Sequence, residues 1–394
     1  MATLDFEQAR ACVIEHVRPL TQVEEIPFQI AAGRVLAEDV LYDRDYPATD
    51  RSVRDGFAVR GADLPGIFEI IGEVRAGEAF AGELGPRQAV EIMTGAPVPL
   101  GADQIVMVEH ATVEAERMTT SRPLSPNEFI NFRGGEAKAR TVAAKAGHRL
   151  DYAMIAQLAM VGAARVKVFP KPKVAILATG DEIISVAGIP KEFQIRNSNS
   201  YSLAAQVSRA GGEPIILPVV RDTLESTRKW IETGLASDLL LITGGVSAGK
   251  YDLVETVLAE FDAEFFFDRV RIQPGQPLVF GRARGTFFFG LPGNPGSTMV
   301  TFELFARAAI EIMGGQSEPK LLMAEAKLSG DFRHTRGLTR FLPATLSEDG
   351  RSVTHIPWKG SSDIPAIARA NVFLIARPDK EYYRAGEPIQ VLIK

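Results

Sequence analysis

The sequence predicts an α/β multidomain protein whose centre is a doubly wound, mostly parallel sheet over 173–314, flanked by smaller β regions. Two observations carry that expectation. Between Lys173 and Gly314, short and almost wholly apolar runs alternate with stretches of helical spacing, the pattern of a parallel sheet buried on both faces. Before and after that region, short apolar runs are separated by glycine and proline with few helical stretches between them, which reads as β structure. At 394 residues the chain exceeds one ordinary core and suggests roughly two to four domains.

Taken in order, Leu4, Cys12, Val13, Val17 and Leu20 fall near one face at helical spacing, so the first expected element is a helix, limited by Pro19. From Pro27 to Val40 the text is mixed, and it ends in the turn-rich Tyr42–Arg51. Phe57–Val59, Phe68–Ile71, Val90–Met93 and Ile105–Val108 are strands of a small antiparallel domain between Asp55 and Phe132. Asp151 as N-cap and Gly162 as stop delimit a second helix. In the central region the expected order begins with strand Val174–Ala178 and a helix around Ser200–Ala210 stopped by Gly211-Gly212. Strand Ile215–Val220 with a helix to Gly234 follows, then strand Leu239–Thr243, a glycine loop and a helix from Asp252 to Phe261. Strands near Val270, Leu278 and Phe287 lead to a helix from about Gly296 to Met313. The tail from Ser317 has strand-like runs and turns without clear helices, a small β domain.

Composition excludes several function classes. Apolar residues make up 46% and charged residues 24%, with a net charge of −5 and both signs interspersed. That is the balance of a globular domain, and the basic stripe of a nucleic-acid binder is missing. No apolar run approaches the ~18 residues that span a bilayer. Asp5 and Glu7 stand where a signal peptide would be basic and then apolar, so the expected compartment is the cytoplasm. Cys12 is the only cysteine, and the histidines at 16, 110, 148, 334 and 355 are scattered without zinc-ligand spacing.

Ligands of open α/β sheets sit outside the carboxyl ends of the strands, and three loops fall there. Thr179-Gly180-Asp181-Glu182 offers adjacent carboxylates; they either cap the next element or hold Mg²⁺ together with phosphate oxygens. Gly244-Gly245-Val246-Ser247-Ala248-Gly249-Lys250-Tyr251-Asp252 joins a buried strand to a helix. Its glycines let backbone N–H groups approach an anion, and the helix N-terminus favours negative charge. It nearly matches a Walker A loop, but Tyr251 occupies the Ser/Thr position, leaving Asp252 as the nearest metal ligand. Leu291-Pro292-Gly293-Asn294-Pro295-Gly296 is a turn stiffened by two prolines, able to present Asn294 to a ligand. Asp222 reads equally as an N-cap or a ligand. Asp55, in the Arg51-Ser52-Val53-Arg54-Asp55-Gly56-Phe57 loop, reads by itself as part of a solvated turn.

In this order the segments resemble the molybdopterin molybdenumtransferase family, which includes the bacterial MoeA proteins and the E domain of gephyrin. The matching text is Asp50-Arg51-Ser52, Asp55-Gly56-Phe57-Ala58, Glu91-Ile92-Met93-Thr94-Gly95-Ala96 and Gly135-Glu136. It continues through Thr179–Glu182, Arg221-Asp222, Gly244–Asp252 and Leu291–Pro295, so the resemblance covers essentially the whole chain. It implies a split helical N-terminal domain (1–43 with 137–169), an inserted β domain (44–136), an α/β molybdopterin-binding domain (170–316) and a C-terminal β-barrel-like domain (317–394). It also implies a homodimer with a site between the α/β domain of one subunit and the inserted domain of the other. The implied reaction inserts molybdate into adenylylated molybdopterin with release of AMP, in the presence of Mg²⁺.

The implied catalytic residues are Asp55, Thr94, Glu182, Asp222 and Asp252, with Asp181, Glu182, Asp222 and Asp252 as metal ligands. Thr179, Gly180, Asn199, Gly244, Gly245, Ser247, Pro292, Asn294 and Pro295 are the implied binding residues for pterin and phosphate. Where many relatives carry Lys-Pro-Gly-Lys-Pro at the molybdate, this chain reads Gln273-Pro274-Gly275-Gln276-Pro277. Gln273, Gln276, nearby Arg269 and Arg271, and Ser361 complete the anion-binding set. Ala137 replaces a common Asp, and the match around Arg340 is loose. Molybdopterin adenylyltransferase and molybdoenzyme-maturation proteins are the expected partners, with neither nucleic acid nor membrane. The two glutamines also motivate an alternative, a molybdopterin-binding or scaffold protein with lost or tungstate-directed insertion. A nucleotide-dependent kinase is a third reading, opposed by Tyr251.

Overall fold

The computed structural model describes residues 3–123, 125–245 and 253–394. It separates into two compact units, Met1–Glu38 with Ala146–Asp151 and Arg165–Lys394, and Asp39–Lys145 with Tyr152–Ala164.

The central sheet of the first unit has six strands: β1 (Lys173–Ala178), β2 (Glu213–Ile216), β3 (Leu239–Thr243), β4 (Glu264–Arg269), β5 (Pro277–Ala283) and β6 (Thr286–Leu291). They lie in the order β2-β1-β3-β6-β5-β4. The first four are parallel neighbours, and β5 and β4 add an antiparallel edge. The connections explain the change of direction. A helix follows each of the first three strands and carries the chain back, whereas β5 and β6 are joined by the tight turn Arg284-Gly285, with positive φ at both residues. Such a turn permits only an antiparallel partner.

Alternate residues of the parallel strands enter two cores. Val174, Ile176, Leu239, Leu241 and Phe289 pack with Leu203 and Val207 of α1 (Asn199–Ala210). Ala175, Leu177, Leu240, Ile242 and Phe288 pack with Ile231 of α2 (Leu224–Gly234) and with Val254 and Val257 of α3 (Leu253–Glu260). Burial on both faces is why these strands lack polar alternation. The long helix expected after β6 is interrupted: Pro295–Thr301 and Arg307–Met313 flank a π-helical turn at Phe302–Ala306.

The N-terminal helix runs over Phe6–His16, shorter than its apolar spacing suggests. Asp5 caps it in a reciprocal box with Gln8, and Val17 is already extended, two residues ahead of Pro19, which cannot continue a helix. Phe6 reaches the rings of Phe305 and Phe341, at centroid distances of 5.9 and 5.5 Å.

Five further strands, β7 (Met323–Leu328), β8 (Thr339–Leu346), β9 (Ser352–His355), β10 (Val372–Ala376) and β11 (Pro388–Ile393), close into a barrel in the order β8-β9-β7-β11-β10 and back to β8. The tail does contain a helix, Ile364–Arg369, with the Asp363 side chain accepting from Ala366 N and a proline in its first turn. Six residues are too few for a helical period to register in the sequence. Ile272-Gln273 pairs parallel with Thr339-Arg340 at the start of β8, tying the barrel to the loop before β5.

In the second unit a six-stranded sheet has the order Gln104–Met107, Gly56–Val59, Gln88–Ile92, Gly66–Val74, Arg117–Thr120, Thr112–Glu114. It is not wholly antiparallel as expected, because Gly66–Val74 and Gln88–Ile92 run parallel. The connection over 75–87 is about a dozen residues, long enough for a crossover. Tyr152–Met160 is the helix expected between Asp151 and Gly162.

Within the barrel, His334 is buried. Burial first, then Arg340, holds its pKa below the ordinary value, and burial does the same at His355. The folded state therefore keeps both rings neutral. Their contribution is fully present above the unfolded value of about 6.5 and is lost as pH falls through the lower folded values. The melting temperature should decline as pH falls below about 6.5, and His334→Phe should make that decline shallower. Equal slopes for the two proteins would remove His334 as a cause.

Candidate functional site

The carboxyl ends of β1, β3 and β6 stop in register, Ala178 beside Thr243 and Thr243 beside Leu291. The loops that follow are therefore held side by side along the edge where open α/β sheets bind ligands. They open onto a cleft of about 1450 Å³ lined by Thr179, Gly180, Glu182, Asn199, Asp222, Gly244, Gly245, Gln273, Gln276, Pro292, Asn294, Pro295 and Ser361. Ser247 and Asp252 lie outside the described residues.

The first loop is fixed by its backbone: Thr179 N donates to Thr243 O at 3.0 Å, and Gly180 N to Val220 O at 3.1 Å. The second bond draws in Asp222, whose N–H donates to Asp181 Oδ1 at 3.4 Å. Thr223, not Asp222, caps α2, accepting from Ser226 N. The Asp222 carboxyl is held above the usual carboxylate range by burial, then by the charges of Asp181 and Glu182. Among the described residues, no three His, Cys, Asp or Glu side chains already meet in a metal-binding arrangement. Glu182 and Asp222 line the cleft, whereas Asp181 does not and instead accepts from the Asp222 backbone.

The floor is built on Asn199, at the first turn of α1. Its Nδ2 donates to Thr243 Oγ1 at 2.9 Å and to Gly293 O at 2.8 Å, joining the second and third loops. Asn199 Oδ1 and Thr179 Oγ1 are buried and have no partner among the described residues. Buried polar atoms are nearly always paired, so two such atoms in side chains lining a cleft are acceptor and donor positions for a ligand. Gly244 has φ +88°, and a Cβ there would sit 2.5 Å from Thr179 O. Only glycine lets this backbone close on the first loop.

Asn294 Nδ2 donates to Ser361 Oγ at 2.9 Å and Gly296 N to Ser361 O at 2.7 Å. These bonds fasten the barrel-side turn at Ser361 to the start of the Pro295–Thr301 helix. The Gln273–Gln276 loop packs on the same helix: Gly275 has φ +105°, and a Cβ there would lie 2.3 Å from Thr301 Cγ2. Arg269 is not on the cleft wall. Paired opposite Pro277 on the antiparallel edge, it lines a smaller adjoining hollow with Asp268 and Val279.

The second unit places Asp55 against Thr94, whose N–H and Oγ1–H donate to Asp55 Oδ1 at 2.6 and 2.7 Å. These bonds, led by that from the hydroxyl, hold the Asp55 carboxyl below its ordinary range. Thr94 lines a hollow of about 480 Å³ with Arg44, Tyr46, Arg51, Ser52, Asn131 and Glu136, and Asn131 donates to Glu136 at 2.6 Å. Sequence reasoning missed Arg44, Tyr46 and Asn131; the charged and aromatic turn at Arg44-Asp45-Tyr46-Pro47 was the available signal for the first two. It also missed Thr243, Ser297, Leu338 and Trp358 on the cleft wall. The last two had no local signal, because their place on the cleft depends on how the barrel packs.

Fold and site together define an α/β ligand-binding protein with its cleft at the carboxyl edge of the sheet. Residues 4–162 match the MoeA N-terminal region (domain I and II), 175–311 a probable molybdopterin binding domain, and 325–394 the MoeA C-terminal region (domain IV). The chain belongs to the MoeA family. It is 34% identical over 392 residues to the molybdopterin molybdenumtransferase of Bacillus subtilis, covering 96% of this chain and 91% of that one. Its identity to the molybdopterin molybdenumtransferase of Staphylococcus aureus is 33% over 378 residues, 93% and 90% of the two chains. The crystal structure of a molybdopterin biosynthesis MoeA protein from Pyrococcus horikoshii superposes with a TM-score of 0.85 at 28% identity, covering 100% of both chains.

The carboxylate group makes a direct prediction. The folded pKa of Asp222 is raised above 3.8, so at pH 7 its ionised form is disfavoured by folding. In chelator-containing buffer Asp222→Asn should melt higher by roughly 1–3 °C. The gap should close as pH falls through the folded pKa of Asp222, where the natural side chain is itself neutral. A lower melting point for the variant at pH 7 would contradict the crowding.

Proposed function

We propose that this chain is a molybdopterin molybdenumtransferase that inserts molybdate into adenylylated molybdopterin and releases AMP, assisted by Mg²⁺. The observation that carries the reading is the cleft at the carboxyl edge, where two buried polar atoms without a partner among the described residues stand beside Glu182 and Asp222. The names of the relatives at about a third identity support it, as does the match of 175–311 to a probable molybdopterin binding domain.

Asn199 Oδ1 accepts from N–H groups of the pterin, Thr179 Oγ1 donates to the pterin or the phosphate, and the Gly244-Gly245 backbone approaches the phosphate without a side chain in the way. Asp181, Glu182 and Asp222 would hold Mg²⁺; burial, then the charges of Asp181 and Glu182, raise the pKa of Asp222, and a cation would relieve the charge part of that. When bound, Mg²⁺ neutralises phosphate charge and orients the anhydride. Gln273, Gln276 and Ser361 offer neutral hydrogen-bond donors to molybdate, with Arg269 in the neighbouring hollow. Most of the catalytic effect is then positioning and electrostatics, as elsewhere in phosphoryl transfer.

In this reading Asp55 and Thr94 act on the cleft of a second copy in a homodimer, and the protein works in the cytoplasm. A molybdopterin adenylyltransferase supplies its substrate, and molybdoenzyme-maturation proteins receive the product.

The direct experiment is AMP release from adenylylated molybdopterin with Mg²⁺, titrated with molybdate and separately with tungstate. Turnover is expected with both chain and Mg²⁺ present and lost with a chelator; intact ligand binding without AMP release defeats the proposal. Asp222→Ala and Asp55→Ala should each lower turnover by about 100-fold or more. Gln273→Lys with Gln276→Lys should lower the molybdate concentration needed for half-maximal rate, since each adds a positive charge beside an anion.

A further inference from the structure

The segment joining Glu182 to Asn197 plays no part in the site so far. Its two short strands, Ile183-Ile184 and Ile195-Arg196, pair parallel, and residues 185–194 form a loop between them. The hydrogen bonds described for this loop stay within it or return to its stem: Gly188 N to Ser185 O, Gln194 N to Lys191 O, and Arg196 Nε to Gly188 O. Yet Phe193 is 84% exposed and Ile189 90%, with Val186 and Ile195 also exposed. Single exposed apolar residues are ordinary, but three on one short loop, with a fourth at its stem, mark a surface that something covers.

The stem locates the covering partner. Ile183, Ile195 and Arg196 line the cleft together with Glu182, so the loop rises from the rim of the ligand site. Among the described residues, Trp358 is the only aromatic side chain on the cleft wall, whereas adenylylated molybdopterin carries two fused heterocycles. Phe193 stands two residues before Ile195, which lines the cleft, and two extended residues reach about 7 Å. Its ring is therefore within reach of the cleft rim.

We infer that loop 185–194 is a lid whose Phe193 stacks on the adenine ring of the bound adenylylated ligand, making Phe193 a binding and specificity residue for the nucleotide end. This rests on the pterin-nucleotide reading of the cleft. Stacking on a base is insensitive to hydrogen-bond pattern, which suits a group that is gripped for a reaction and then released as AMP.

The test is calorimetric titration of the full-length protein with AMP and Mg²⁺, comparing the natural chain with Phe193→Ala, Phe193→Tyr and Phe193→Ser. Sedimentation and melting curves are measured in parallel. Phe193→Ala and Phe193→Ser should weaken AMP binding by about tenfold and Phe193→Tyr should restore it, with oligomeric state and melting temperature unchanged. AMP affinity equal to that of the natural chain in Phe193→Ala overturns the inference. So does a loss that Tyr fails to restore, or dissociation into single copies, which would make the loop a subunit contact. The two readings fail separately. If the natural chain neither binds AMP nor releases it from adenylylated molybdopterin, the reading of the cleft falls and takes the lid with it. If it does both and Phe193→Ala alters neither, only the lid falls.

Discussion

The site depends on one constraint, the common register at which β1, β3 and β6 end. Parallel strands buried on both faces cannot slip without moving every side chain to the wrong core, and here the two cores are filled by alternate residues of the same strands. Their ends are thereby locked level. Three loops far apart in the chain then become neighbours, and Asn199 joins two of them through Thr243 and Gly293. The cleft is a consequence of the sheet, and its precision comes from the rigidity of that sheet.

Charge is distributed unevenly on this frame. Glu182 and Asp222 stand on one wall, and burial, then the charges of Asp181 and Glu182, raise the pKa of Asp222, while Gln273, Gln276 and Ser361 supply the opposite kind of surface, donors without formal charge. A phosphoanhydride with a divalent cation suits the first, and a small oxoanion held by hydrogen bonds suits the second. On the proposed function, glutamine in place of lysine at an oxoanion exchanges Coulombic attraction for directional bonds. The barrel contributes to this second wall because Ser361 is bonded to Asn294 and Gly296, and because Gln273 is paired to the first residues of β8.

Much of the fold was legible because strong local signals coincide with the true elements. Leu239–Thr243 was read to the residue, since five consecutive apolar or β-branched residues bounded by Asp238 and Gly244-Gly245 leave little choice. The helix in the tail was missed because it rests on a cap at Asp363 and a few buried contacts instead of a sustained period. The parallel pair in the second unit was missed for a related reason: strand direction depends on the path of the connection, and alternation is the same in either direction.

For the site, the sequence by itself determined which chemical groups exist and on which loops: Thr179–Glu182, Asp222, Gly244-Gly245, Gln273, Gln276 and Pro292–Pro295 were all identified as residue types suited to anions and metal ions. Residue type and local turn chemistry are written along the chain, so they survive without knowledge of the fold. Tertiary structure alone decided that Thr223 takes the cap and leaves Asp222 facing Asp181. It also decided that Arg269 falls into the adjoining hollow, and that Trp358 and Leu338 reach the cleft from the barrel. Those outcomes turn on angstrom-scale packing between segments tens to hundreds of residues apart, and no local pattern encodes such distances.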